Sequence, residues 1–262
     1  MPSVLVDGRR VRYRDGGGGR PVRGRRTLLF LHGAGASSAV WARAASRLAA
    51  GCNLLAVDLP GHGRSQGPAA AGIDGGAEFA RAVLDAFDLP RAVVCGHSMG
   101  GLMALRAADL HPTRVEALVL VTTGARIQVS PLVYEALART ADAARRLMTA
   151  TAFAATAAPG LAETAIASWP YCTAEVARAD FAACDAFDGS AAAARAGMPA
   201  LVVVGAEDQV TPPALGAALA ALLPHARLAE VGGAGHMLPV EQPAALAEAI
   251  GAFLGGLAAE AR

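Results

Sequence analysis

Residues 93–105 read "VVCGHSMGGLMAL" and set a serine between two glycines, Gly96-x-Ser98-x-Gly100. An apolar run ends just before this serine and a helical pattern begins just after it. That is the context in which G-x-S-x-G forms a sharp strand-to-helix turn with an exposed hydroxyl. The turn is so tight that side chains beside the serine would collide, which is why glycine stands at both flanks. The N–H groups at the start of the following helix favour developing negative charge. The chemistry implied is attack by Ser98 on a carbonyl carbon. Phosphate binding is the rival use of such a stretch. It requires a Gly-Lys-Ser/Thr ending or the G-x-G-x-x-G spacing, and neither occurs here.

A nucleophilic serine needs a base, a carboxylate to orient that base, and donors for the oxyanion. His236, in "VGGAGHMLPVEQP", follows the last strand-like run, and the glycines before it let the backbone curl back. A histidine at the carboxyl end of a strand can reach the edge of the sheet where Ser98 points. Asp208, in "ALVVVGAEDQVTPP", follows a strand by a short turn and also reads as a turn or N-cap residue. Asp58, after "NLLAV", is the other candidate acid. The order Ser98, Asp208, His236 matches a recurrent serine–acid–histidine order, which Asp58 would break. His32-Gly33-Ala34-Gly35 follows another strand. The backbone N–H groups of Ala34 and Met99 are the candidate oxyanion donors, although the loop also reads as an ordinary turn. His111, before Pro112, reads as a helix-end residue, and His225 as part of an exposed turn.

The elements that must position these residues are legible as a pattern. Asp7-Gly8 between "SVLV" and "VRYR" predicts a hairpin. Unbroken apolar runs at 27–31, 53–57, 92–95, 115–121, 200–204 and 227–231 fit strands covered on both faces. Helical stretches at 40–50, 76–87, 99–110, 213–223 and 241–257 alternate with them, which predicts an α/β doubly wound, mostly parallel sheet. Residues 126–195 interrupt the alternation. This span is alanine-rich, helical and too long for a loop, so it is expected to be an inserted helical cap or lid on a core made of 1–125 and 196–262. The side chains of Ile127, Val129, Tyr134, Leu137, Met148 and Phe153, with Trp169, Tyr171, Phe181 and Phe187, would give it an apolar pocket or pack its interior.

Composition narrows the function classes. At 262 residues the chain suits one large domain or two small ones. With 54% hydrophobic and 17% charged residues it is globular, and its net charge of +1 predicts neither nucleic-acid nor anionic-membrane partners. Cys52, Cys95, Cys172 and Cys184 form no C-x-x-C pair, so a zinc site is not expected, and spacing leaves a Cys172–Cys184 bridge open. The N-terminus has no apolar signal-like run, and the expected localisation is cytoplasmic.

Together, "LHGAGASSAVW", "AVDLPGHGRS", "GHSMGG", "VGAEDQVTPP" and "GGAGHMLPVEQP" resemble the α/β-hydrolase superfamily over nearly the whole chain. The resemblance implies the α/β-hydrolase fold with a helical cap, and a serine esterase-like member. It implies Ser98 as nucleophile, Asp208 as acid, His236 as base, and loop-ordering roles for Asp58 and His62. Serine at the elbow separates the chain from haloalkane dehalogenases and epoxide hydrolases, which carry aspartate there. The expected reaction is hydrolysis of a small to medium, largely apolar carboxylic ester through an acyl-enzyme, with no metal or organic cofactor. The expected partner is that small ester or acyl substrate. Thioesterase, acyltransferase, carbon–carbon bond hydrolase and perhydrolase activities would use the same residues. A ligand-binding receptor on a hydrolase scaffold would keep them without turnover. An acid limb of activity is expected where an imidazole ordinarily gains its proton, roughly pH 6–7.

Overall fold

The computed structural model describes residues 1–17, 19–167 and 171–260. Strands β1 (Ser3–Val6) and β2 (Arg9–Arg14) form the expected hairpin. Both turn residues have positive φ, 46° at Asp7 and 75° at Gly8, the geometry a two-residue turn needs to match strand twist. The other strands are β3 (Thr27–Leu31), β4 (Asn53–Val57), β5 (Ala92–His97), β6 (Val115–Val121), β7 (Ala200–Gly205) and β8 (Ala226–Val231). They form one sheet in the order β1-β2-β4-β3-β5-β6-β7-β8, antiparallel only at β1-β2 and β2-β4.

The helices are α1 (Ala42–Leu48), α2 (Gly72–Ala86), α3 (Met99–Leu110), α4 (Pro131–Arg139), α5 (Ala141–Thr151), α6 (Leu161–Ile166), α7 (Ala174–Ala186), α8 (Ser190–Arg195), α9 (Pro213–Leu222), α10 (Leu238–Glu241) and α11 (Pro243–Glu260). Strand residues alternate between two buried clusters. Leu29, Leu31, Val94 and Leu118 pack with α2, α3, α8 and α9 on one face. Leu28, Phe30, Val93 and Val119 pack with α1 and α11 on the other. Burial on both faces explains the unbroken apolar runs of β3 to β7.

Three expectations are corrected. The run 227–231 is not covered on both faces: β8 is an edge strand with Arg227, Leu228 and Glu230 exposed. Helix α2 starts at Gly72 instead of 76, because Ile73 already buries its side chain beneath a glycine-rich first turn. The helix expected over 241–257 starts at Pro243, whose missing N–H cannot continue the short α10 that ends at Glu241.

Helices α4 to α8 lie between β6 and β7, neighbouring parallel strands. Of these, α8 packs against α3 and α9, as a crossover helix between two such strands must. Among the described residues no helix is long and apolar enough to cross a membrane.

Candidate active site

Ser98 joins β5 to α3 with φ 53° and ψ −119°, a conformation that costs a non-glycine residue about 1–3 kcal/mol. Its neighbours hold it there. Its N–H donates to Val121 O at 3.0 Å, and its carbonyl accepts from Gly101 N–H at 2.8 Å and Thr123 Oγ at 2.9 Å. A Cβ on Gly96 would run into the Gly100 carbonyl, and one on Gly100 into the carbonyls of Leu31 and His32. The glycine at each flank is therefore a steric requirement of the turn.

The loops after β7 and β8 bring Asp208 and His236 together. His236 Nδ1 lies 3.0 Å from Asp208 Oδ2, and both residues are buried. Asp208 Oδ1 accepts the N–H groups of Val210 at 2.8 Å and Thr211 at 2.9 Å. The Thr211 hydroxyl donates to Oδ2 at 2.7 Å and lies 3.1 Å from His236 Nδ1. That hydroxyl has one hydrogen, already given to the carboxylate, so Nδ1 faces two acceptors and carries a proton. Burial acts to raise the Asp208 carboxyl, but the His236 ring and the Thr211 hydrogen bonds outweigh it and hold the group below its ordinary value. Asp58 is engaged elsewhere, accepting from Ser38 N–H and Arg64 N–H at 2.9 and 3.0 Å. It thus orders the loop after β4, and His236 is paired with Asp208.

Thr211 and His97 were missed by sequence reasoning. For Thr211 the signal was an Asp-x-x-Thr spacing before a helix. His97 is buried and its Nε2–H donates to His236 O at 2.9 Å. Burial, and then the charge of His236, push its pKa down to about 3, so it stays neutral and fixes the His236 backbone. Thr211→Val keeps the volume and removes a hydrogen bond to a buried carboxylate. It is expected to lower unfolding stability by about 1.5–3 kcal/mol, read from the urea midpoint.

The loop after β3 supplies Ala34. The carbonyl of Gly33 accepts from His32 Nδ1–H at 2.8 Å and from Ala36 N–H at 3.2 Å, while His32 Nε2 accepts from Leu59 N–H at 3.0 Å. Burial pushes the His32 pKa well down, in keeping with this neutral bridging tautomer. A trans peptide directs its N–H opposite to its C=O. Fixing the Gly33 carbonyl therefore fixes the direction of the Ala34 N–H.

Ser98, His236, His97 and Ala34 line a cavity of about 1000 Å³. Asp208 sits behind His236, outside the lining. Of the side chains expected to shape a pocket, Ile127, Val129, Tyr134, Met148, Tyr171 and Phe181 line this cavity. Leu137, Phe153 and Phe187 pack into the core clusters instead, and Trp169 lies outside the described residues. All four cysteines are free, Cys172 and Cys184 included. Among the described residues no group of three or more His, Cys, Asp or Glu side chains could hold a metal ion.

Residues 28–249 match the alpha/beta hydrolase family. The chain belongs to that family. It is 30% identical to 2-hydroxymuconate semialdehyde hydrolase of Pseudomonas sp. (strain CF600), covering 96% of this hydrolase-family chain and 93% of that one. A shorter match, 43% identical, joins 37% of it to 36% of the pimeloyl-[acyl-carrier protein] methyl ester esterase of Klebsiella pneumoniae (strain 342). The matches to the first curated relatives span less than half of their length. Among solved structures, the enol-lactonase from Burkholderia xenovorans LB400 superimposes with a TM-score of 0.87 at 26% identity, covering 97% of this chain and all of that one.

Proposed function

We propose that this alpha/beta hydrolase is a serine esterase acting on small to medium carboxylic esters with a largely apolar acyl group. One observation carries the reading. A serine in a strained turn shares an apolar cavity with an imidazole whose Nδ1–H is held by a buried carboxylate. In the proposed mechanism Ser98 Oγ attacks the ester carbonyl carbon as its proton passes to His236 Nε2. The carbonyl π pair moves to oxygen, where the N–H groups of Ala34 and Met99 receive it. Collapse of the adduct breaks the C–O bond, and His236 returns the proton to the leaving alcohol. Water then repeats the sequence on the acyl-enzyme and frees the acid. Asp208 keeps the proton on Nδ1, so Nε2 is the acceptor. Within residues 126–195, helices α4 to α7 act as the cap in this reading, while α8 at the end of that span belongs to the core crossover.

The test is turnover of p-nitrophenyl esters of increasing acyl length. The expected result is a burst of about one nitrophenolate per active chain, then steady release, with a preference for acyl groups that fill the apolar cavity. Absence of turnover across the series would sink the reading. A second reading, hydrolysis of 2-hydroxymuconate semialdehyde or a close analogue, is favoured by the end-to-end similarity to that hydrolase. Consumption of that compound without ester turnover would select it.

A further inference from the structure

A second buried histidine–carboxylate pair lies behind the loop that carries Ala34. His62 stands in the loop after β4, and Asp180 in α7 of the inserted segment. They are 2% and 6% exposed. His62 Nε2 lies 2.7 Å from Asp180 Oδ2, and its Nδ1 lies 3.0 Å from the carbonyl oxygen of Pro60. A carbonyl and a carboxylate oxygen only accept. Both ring nitrogens must therefore carry hydrogen, and the ring is an imidazolium. Burial alone would lower its pKa, but the Asp180 carboxylate, and after it Cys172, outweigh burial and push it up to about 10. The other titratable groups facing the ring are His32, with ring centroids 5.0 Å apart, and the Cys172 thiol.

The same Asp180 Oδ2 accepts the N–H of Gly35 at 2.9 Å. The Gly35 carbonyl accepts from Tyr171 N–H at 2.9 Å, and the Tyr171 carbonyl accepts from Gly63 N–H at 2.6 Å. The core thus fixes the peptide on the amino side of Ala34, through His32 and Ala36. The inserted segment fixes the peptide on its carboxyl side, through Asp180. An oxyanion donor is effective only if its direction is set before charge develops.

We propose that Asp180 is a positioning residue for the Ala34 loop, so that docking of the inserted segment onto the His62 imidazolium sets the oxyanion geometry. This inference rests on the esterase reading above. While His62 is charged the clasp is closed. The proton that leaves first is the one on Nδ1, which faces a neutral carbonyl, so the neutral ring keeps Nε2–H on Asp180 and the clasp loses its charge assistance. The clasp is therefore charge-assisted at neutral pH, and that assistance is lost as pH rises through about 10. Replacing Asp180 by asparagine removes the charge that holds the proton, so the loss moves toward the ordinary histidine range.

The experiment measures kcat and KM for the best p-nitrophenyl ester between pH 6 and 10.5, in wild type and Asp180→Asn, below the melting temperature of each. The expected result at pH 8 is a kcat lower by about 10–100-fold with KM within about threefold. The alkaline fall of kcat should also move at least about one pH unit toward acid. An unchanged kcat, an effect confined to KM, or a uniform loss without movement of the alkaline limb would overturn the proposal. The last two are what a merely structural contact would give. Should Asp180→Asn fail to fold, His62→Gln replaces it at pH 8, with the same expected kcat loss and no alkaline limb near pH 10. Absence of ester turnover in wild type would sink the esterase reading alone. The clasp is then read by proton NMR, as two low-field ring N–H signals of His62, of which the Nδ1–H signal is lost near pH 10 together with a shift of the Gly35 amide. Independent titration of the two would overturn it.

Discussion

Ser98→Ala is expected to lower the steady rate of p-nitrophenyl ester hydrolysis by at least about a thousandfold and to abolish the nitrophenolate burst. The substitution removes one oxygen from a cavity of about 1000 Å³ and leaves the turn intact. The hydrogen bonds that hold position 98 at φ 53° are made by its backbone to Val121, Gly101 and Thr123, and none uses the hydroxyl. The variant should therefore melt within a few degrees of wild type, which separates loss of chemistry from loss of fold. The rate that remains would come from the oxyanion donors and from binding. A variant that kept its burst, or lost less than about tenfold, would remove Ser98 from the role of nucleophile.

Asp208→Asn is expected to lower kcat by about 10⁴ with little change in KM. The amide oxygen can still accept from Val210 and Thr211 N–H at the Oδ1 position. At the Oδ2 position, however, an NH₂ group would face the Thr211 hydroxyl and His236 Nδ1, 2.7 and 3.0 Å away. It can only donate there, so Nδ1 becomes the acceptor and the ring's hydrogen moves to Nε2. The nitrogen turned toward the substrate is then a donor with no lone pair for the Ser98 proton. Kinetics at neutral pH check the magnitude, and nitrogen NMR of His236 checks the tautomer. Activity of Asp208→Asn within about tenfold of wild type would mean that the carboxylate holds the loop and leaves the imidazole to others.

The sequence made some of this legible and hid the rest for physical reasons. Gly96 and Gly100 were readable because the constraint on them is local: each is forbidden a side chain by carbonyls that the turn itself brings close. Asp208 and His236 were readable because loops at the carboxyl ends of parallel strands share one edge of the sheet. Thr211 was missed because a threonine three residues after an aspartate is commonplace, and only the fold turns its hydroxyl onto the carboxylate that faces His236. Asp180 gave no signal, since its contact with Gly35 joins residues 145 positions apart. Its identity as a buried partner depends on how α7 packs. The edge position of β8 was marked by the two charges of "RLAEV", Arg227 and Glu230, which β3, β4, β5 and β7 lack; the apolar residues between them hid it. In "SAAAAR" alanine fills nearly every position, so no periodicity marks α8 off from the helices before it.

The place of those helices bears on how the molecule can diversify. The unit β6–α8–β7 is a complete parallel crossover, and α4 to α7 enter ahead of it, so the sheet's connectivity does not depend on their length or order. A lineage could therefore exchange this stretch by recombination and inherit a new set of cavity walls without refolding the scaffold. The graft would be constrained at one point above others: a replacement without a carboxylate would leave the buried His62 ring to lose its charge and the Gly35 N–H without its acceptor.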